Sequence, residues 1–213
     1  MNLLRFLLLA SLLTVPAKAD TPLVVLLGDS IRMNYQAAAT EQLAGIARVW
    51  APKENCRHTV FTLENLDQWL NDKNPKVIHI NVGLHDMYLD AKSARTRHTL
   101  AAYEKNLRAI FAKLRKLTEA KVIFASTTSV NEKRQAASKG YKRVVRRNSD
   151  VDRFNQSARA IARETGIEVN DLNAHMKKLG ADKVLRESDG IHLSPFGCKA
   201  LGKQVAKAIA DQL

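Results

Sequence analysis

The chain has 213 residues and carries 34 Lys and Arg against 21 Asp and Glu, a formal charge of +13. That length suits one domain with a sizeable core, which does not depend on disulfides to stay folded. The basic balance favours acidic partners such as anionic polysaccharide, an acidic cell envelope or nucleic acid, without choosing between them.

Residues 1–19 read as a signal peptide. Asn2 and Arg5 open it, Phe6 to Val15 form a mostly apolar run, and Pro16 precedes the small-x-small pattern Ala17-Lys18-Ala19. The apolar run is shorter than the roughly 20 residues a membrane-spanning helix needs. The expectation is cleavage before Asp20 and export to the periplasm or beyond the cell. Losing Arg5 and Lys18 would leave 32 basic and 21 acidic residues, a charge of +11, on residues 20–213. Those residues show no linker, repeat or low-complexity tract and no second apolar run long enough to span a bilayer. They are expected to form one domain. Cys56 and Cys198 are expected as two free thiols in preference to a bridge.

Short β-type runs then alternate with helical patterns. Leu23–Leu27 is a continuous apolar run, as in a strand buried on both faces. Met33–Arg48 is helix-prone, Arg48–Trp50 is a short strand, and residues 63–70 have helical apolar spacing. Val77–Val82 is a third strand. Leu100, Tyr103, Leu107, Ile110, Phe111, Leu114 and Leu117 mark the clearest amphipathic helix. Val122–Ala125 is a fourth strand, residues 127–149 read as a long basic loop, and Val151–Glu164 is helical. Ile167–Val169 is a fifth strand, and Leu201, Val205, Ile209 and Leu213 mark a closing helix. This alternation predicts a flavodoxin-like three-layer α/β/α sandwich with a five-stranded parallel sheet. Ligands of such sheets bind at the carboxyl ends of the strands.

Two segments carry suggestive chemistry. Gly28-Asp29-Ser30 follows the first strand directly, where a hydroxyl can face solvent at a helix N-terminus, or where Asp29 or Ser30 can simply cap that helix. Asp189-Gly190-Ile191-His192 precedes the closing helix. There a carboxylate three residues ahead can hold the imidazole tautomer and leave Nε2 to accept a serine proton. The third strand ends in Gly83-Leu84-His85-Asp86, where a side-chain N–H can reach an oxyanion. His79, inside that strand, reads as a hydrogen-bonded core histidine. The spacing of His79, His85 and Asp86 matches no metal-ligand pattern, so no metal site is expected.

Together and in this order, the Gly28-Asp29-Ser30 and Asp189-Gly190-Ile191-His192 blocks resemble the first and last blocks of SGNH/GDSL hydrolases, and the resemblance covers nearly all of residues 20–213. It implies a serine carboxylic-ester hydrolase without cofactor. Ser30 would be nucleophile and oxyanion donor, His192 general base and Asp189 its orienter. Two departures stand out. The family's third block is Gly-x-Asn-Asp, and His85 occupies the Asn position. The second block normally supplies a glycine N–H, and the best match here is Arg57, next to Cys56.

Within the family the expected substrate is an O-acetylated carbohydrate, a small or glycan ester that is anionic if the basic loop borders the site. A lipid esterase or thioesterase, or a non-catalytic SGNH-like glycan-binding module, are the alternatives. Charge alone suggests nucleic acid, but Tyr141 is too little aromatic surface for a stacking platform, so no specific nucleic acid is expected.

Overall fold

The computed structural model describes residues 21–90, 92–93, 95–139 and 144–213. The signal-peptide stretch 1–19 and the basic residues Lys142 and Arg143, with Tyr141, lie outside the described residues.

Five strands form one parallel sheet: β1 (Leu23–Gly28), β2 (Arg48–Trp50), β3 (Val77–Asn81), β5 (Lys121–Ala125) and β7 (Glu168–Asn170), in the spatial order β2-β1-β3-β5-β7. Val24 to Leu27 are fully buried, and every residue of β3 is buried, because helices cover both faces of the sheet. The register sets Gly28 opposite Asn81, Asn81 opposite Ala125, and Ala125 opposite Asn170. Four strands therefore end on one line. The chain leaves β1 toward β2 on one side and returns as β3 on the other, so the β1/β3 edge is the switch point where such sheets open a crevice.

Among the described residues, five long helices cover the sheet. Helix α1 (Ser30–Gln42) starts at once after β1 and packs along α8 (Pro195–Ala210). Helix α3 (Leu100–Leu117) packs against both α2 (Thr59–Leu70) and α5 (Asn148–Glu164). Helix α3 buries Tyr103, Leu107, Ile110, Phe111 and Leu114, the stripe its periodicity predicts. Its start is capped by the Thr99 side chain, and Arg115 and Lys116 in its last turn complement the negative end of the helix.

The sequence expectation holds for the five strands and differs between them. Helix α1 begins at Ser30 and ends at Gln42, ahead of a turn in which Gly45 has φ +77°. The stretch 127–149 is not a structureless loop. It contains α4 (Glu132–Ala137), capped by Asn131, and β6 (Val144–Val145), which pairs antiparallel with β4 (Leu89–Asp90). The Gln135 side chain bonds both the N–H and the carbonyl of Arg146 and so ties the two ends of this stretch together. Helices α6 (Leu172–Leu179), capped by Asp171, and α7 (Ala181–Val184) were also not anticipated, being too short to show a period. Among the described residues no helix is long and apolar enough to cross a membrane.

The α1–α8 contact is close because Gly202 has no side chain. A Cβ there would lie 2.6 Å from the Ala38 Cβ and 2.9 Å from the Ala39 nitrogen. Gly202→Ala should push the two helices apart and cost about 1–3 kcal/mol of stability. Denaturant unfolding would measure this, with an unchanged midpoint counting against such tight packing.

Candidate active site

Ser30 is the first residue of α1, placed at the switch point by the end of β1. Gly28 ends the strand because the chain passes against Asn81 there: an added Cβ would overlap the Asn81 side chain and Arg32. Asp29 does cap the helix, its Oδ1 accepting from the Ile31 N–H at 2.9 Å. The same oxygen accepts from Asn81 Nδ2 at 2.9 Å, and Asn81 Oδ1 accepts from the Tyr35 hydroxyl at 2.7 Å. All three side chains are buried. Burial raises the Asp29 carboxyl above its ordinary range, against the lowering effect of the Ile31 and Asn81 bonds. The three-residue chain thus fixes the residue immediately before the serine.

One turn further along α1, Asn34 Oδ1 accepts from the Leu193 N–H at 2.9 Å. Ser30 and Asn34 share a helix face by their i, i+4 spacing, so one face carries the hydroxyl and also anchors the loop opposite it. That loop is held on its other side as well. Arg186 N–H donates to the His192 carbonyl, Leu185 bridges Leu193, and Asn131 N–H donates to the Gly190 carbonyl. Gly190 sits at φ +65°, and a Cβ there would press on Asn131 and Arg134, so glycine alone suits this turn.

Within the loop Asp189 Oδ1 accepts from the N–H groups of Ile191 and His192, at 2.8 and 2.9 Å. Its Oδ2 stands 2.9 Å from His192 Nδ1. Partial burial raises the Asp189 carboxyl, but the Ile191 N–H, the His192 ring and the His192 N–H together outweigh it, and the net shift is downward. An ionised carboxylate only accepts, so Nδ1 carries the ring proton and Nε2 is left as an acceptor. His192 Nε2 lies 3.1 Å from Ser30 Oγ. Residues 30, 189 and 192, from opposite ends of the chain, form one continuous hydroxyl–imidazole–carboxylate line.

The third block is fastened from three directions. Arg146 Nε donates to the Leu84 carbonyl at 3.0 Å, and the Tyr103 hydroxyl donates to the Val82 carbonyl at 3.3 Å. Asp86, fully buried, accepts from Thr59 N–H and Thr59 Oγ1 and pairs with His98 Nδ1 at 2.6 Å. It thereby joins this loop to the start of α2. Leu84 shares a cavity of about 10 Å³ with Asp29, Ile31 and Asn81, which puts the loop against the serine's turn. His85 is driven down to about 4 by burial first, then by Arg146 and Arg97, so it is neutral at physiological pH. A neutral imidazole still offers one N–H donor.

The second block departs from expectation. Arg57 has φ +54°, a left-handed backbone that favours glycine. Its N–H is not open toward the serine but is donated to Asn55 Oδ1 at 2.7 Å, an Asx turn, and its guanidinium lies over the Phe61 ring. The neighbouring Cys56 N–H is donated to the Gly28 carbonyl at 3.0 Å. By contrast the Ser30 N–H, at the first position of α1, has no acceptor within the helix. Cys56 and Cys198 are free thiols, and burial raises both pKa values.

Sequence reading missed Asn34, Tyr35 and His98, and took Asn81 only as part of the strand-end block and Arg146 only as one of the charges of the basic loop. An amide ending a wholly buried strand was a readable sign for Asn81; the others give no local sign. Among the described residues no cluster of three His, Cys, Asp or Glu could hold a metal ion. His79 is a core histidine, with Nε2 accepting from Asn170 Nδ2 at 3.1 Å, and burial drives its pKa down to about 3.

A family model described as the GDSL-like lipase/acylhydrolase family matches residues 26–200. The chain belongs to that family. It is 27% identical over 141 residues to the GDSL esterase/lipase CPRD49 of Arabidopsis thaliana, an alignment covering 64% of this chain and 55% of that protein. The chain therefore spans about half the length of that curated relative. Among solved structures, the fold matches a lipase/acylhydrolase from Enterococcus faecalis with a TM-score of 0.74 and 21% identity, covering 90% of this chain and 97% of that one. It also matches the acetyl xylan esterase AlAXEase, with a TM-score of 0.69 and 19% identity, covering 88% and 99%. The GDSL family fold and the three-layer sandwich expected from the sequence coincide.

The buried histidine has a consequence for acid stability. An unfolded chain protonates His79 near pH 6.5, whereas the folded state holds it neutral down to about 3. Below pH 6.5 the unfolded state therefore binds more protons, and stability falls with pH by up to ~1.4 kcal/mol per unit from this residue. The difference in unfolding free energy between the parent and His79→Gln should narrow in the parent's disfavour from pH 6.5 to pH 4. Parallel pH curves would contradict it.

Proposed function

We propose that this GDSL family member hydrolyses carboxylic esters through an acyl-enzyme on Ser30. The observation that carries the reading is the 3.1 Å separation of Ser30 Oγ from His192 Nε2, with Asp189 on the far nitrogen of the ring. Nε2 takes the hydroxyl proton as Oγ attacks the carbonyl carbon. The Ser30–ester bond forms while the carbonyl oxygen gains the charge. Asp189 stabilises the imidazolium so produced without taking its proton. As the tetrahedral species collapses, the imidazolium protonates the leaving alcohol. Water then enters, His192 accepts its proton, and a second collapse releases the acid and restores Ser30. No step calls for a metal or organic cofactor.

The developing oxyanion needs N–H donors. The Ser30 N–H and His85 are the two assigned here, and the Arg57 N–H would serve only if it left Asn55. Neutrality suits His85 to this role, because one ring nitrogen keeps its proton throughout the cycle. Losing such a donor costs about 10²–10³ in turnover. His85→Ala should therefore lower kcat by that factor with KM little changed, and His85→Asn should recover most of it. Steady-state kinetics on p-nitrophenyl acetate measures both, and equal losses in the two variants would remove His85 from the site.

For substrate we favour an O-acetyl group on a carbohydrate met outside the cytoplasm. Three observations support this. Residues 1–19 have the pattern of an export signal. The apolar cleft of about 520 Å³ is lined by Phe196, Leu179 and Ala200 and by neither Ser30 nor His192. AlAXEase, which shares the fold, is an acetyl xylan esterase. The second reading, a long-chain lipid ester, would require the acyl chain to reach that cleft from a triad that does not line it. Ser30→Ala should abolish fluorophosphonate labelling and reduce ester turnover by about 10⁴-fold or more. Turnover should fall as p-nitrophenyl esters lengthen from acetate to octanoate; the opposite order would favour lipid, and a parent protein that neither labels nor turns over would leave a binding module.

A further inference from the structure

The triad leaves a second feature unused. Beside the His85 loop lies a cleft of about 560 Å³, lined by Arg95, Arg97, Arg147 and Arg153 with Thr96 and Thr99. Its walls come from two elements that are braced together. Residues 95–99 follow β4, where Leu89 bridges back to Thr96, and residues 147–153 follow β6, which pairs with β4. Asp150 is the acidic side chain in the lining, and it is engaged with Arg153 at 3.0 Å. Among the described residues, Arg95, Arg97 and Arg147 have no carboxylate partner.

With Arg153 offset by Asp150, the guanidinium groups of Arg95, Arg97 and Arg147 around one cleft still repel one another, and an anion entering it would relieve that repulsion. Arginine also fits planar oxyanions by its forked donors, and lysine, the more common surface cation of this chain's helices, is absent from the lining. Arg97 is held in place by stacking over the Tyr88 ring, 4.6 Å from its centroid. Its charge is among those that lower the His58 and His85 pKa values, and the neighbouring His98 N–H donates to the Asp86 carbonyl at 3.0 Å, so this wall of the cleft is tied to the His85 loop. Arg146, adjacent to Arg147, makes the physical link by bonding the Leu84 carbonyl.

We propose that this cleft is a subsite for a carboxylate-bearing sugar of the substrate, so that the protein deacetylates an acidic, uronate-containing glycan. The inference rests on the esterase reading of Ser30 for its catalytic meaning, though not for the binding itself. A cleft of this volume suits a ligand of one or two sugar rings. Of its threonines, Thr96 Oγ1 already donates to the His98 carbonyl and keeps its acceptor sites, and Thr99 Oγ1 accepts from the Ala102 N–H and keeps its own proton to donate to a sugar hydroxyl. A nucleic acid is less well served, because the aromatic ring at the edge, Tyr88, is already covered by Arg97.

The test uses the full chain and the variants Arg95→Gln/Arg147→Gln and, as a charge-matched control on the exposed side of α8, Lys199→Gln/Lys203→Gln. Binding is measured first, by calorimetry of Ser30→Ala protein with unacetylated trigalacturonate, xylotriose and a short single-stranded DNA. Trigalacturonate should bind, xylotriose should not, and the arginine pair of changes should weaken binding roughly tenfold to a hundredfold while the lysine pair does not. Kinetics follows on acetylated oligogalacturonide and p-nitrophenyl acetate, where the arginine variant should raise KM for the first by a similar factor and leave the second within about twofold.

Equal binding of the neutral and acidic trisaccharides, indifference to the arginine changes, an equal effect of the lysine changes, or tighter binding of DNA would each overturn the subsite. Uronate binding with no acetate release, in protein that turns over p-nitrophenyl acetate, would keep the anion site and overturn its role in catalysis. No labelling or turnover of any ester would instead strike the Ser30 reading, and the calorimetric result would still decide the cleft.

Discussion

The pairing of β1 with β3 is the constraint on which the site depends. Because Gly28 lies opposite Asn81, the amide at the end of one strand meets the carboxylate just beyond the end of the other. Tyr35 reaches back from α1 to close the group. A shift of one residue in that register would turn Asn81 to the opposite face of the sheet and remove the donor from Asp29. Ser30 would then begin its helix without a fixed approach to His192. The position of a surface hydroxyl is thus decided by three side chains buried beneath it.

Burial acts on the site with opposite signs at different positions, and the polar partners decide each outcome. At Asp189 the desolvation is partial, and three hydrogen bonds to the carboxylate prevail, so it is held charged. At His85 burial acts together with two nearby arginines, and the ring is held neutral. The proposed acyl transfer would use the two states differently, the charged Asp189 to orient His192 and the neutral His85 to donate an N–H. One of these arginines, Arg97, serves two ends. It adds to the burial that keeps His85 uncharged and also lines the proposed cleft, while the buried Arg146 acts on His85 and the adjacent Arg147 lines the cleft. Asp86 does not offset the cleft arginines toward solvent, because it is fully buried and already bonded to Thr59 and His98, and Asp150 in the cleft wall is engaged with Arg153.

The central strands β1, β3 and β5 were readable because each is a short run of mostly buried apolar residues, and the edge strands β2 and β7 because a β-prone residue or two stands between helical patterns, both of which are local signs. The Gly28-Asp29-Ser30 and Asp189–His192 blocks were readable for the same reason: their internal geometry, an N-cap and a turn closed by Asp189 on Ile191 and His192, spans three or four residues. Residues 127–149 were misread as loop. What orders them is not periodicity but side chains such as Gln135, which bonds Arg146 eleven residues on. Arg57 was assigned from its place in the chain, and a neighbouring amide then turned its N–H aside.

The amino-acid order alone determined a parallel α/β sandwich, which strand end bears the hydroxyl, and which loop bears the imidazole and carboxylate, since all of these follow from contacts between residues close in the chain. The meeting of Ser30 with His192 across 162 positions was decided only in three dimensions. So were the Asp29–Asn81–Tyr35 support, the fastening of the His85 loop by Arg146 and Asp86, and the gathering of four arginines around one cleft. The reason is physical: hydrogen bonds and Coulomb forces act over a few ångströms of space, and only the folded sheet says which distant residues share that space.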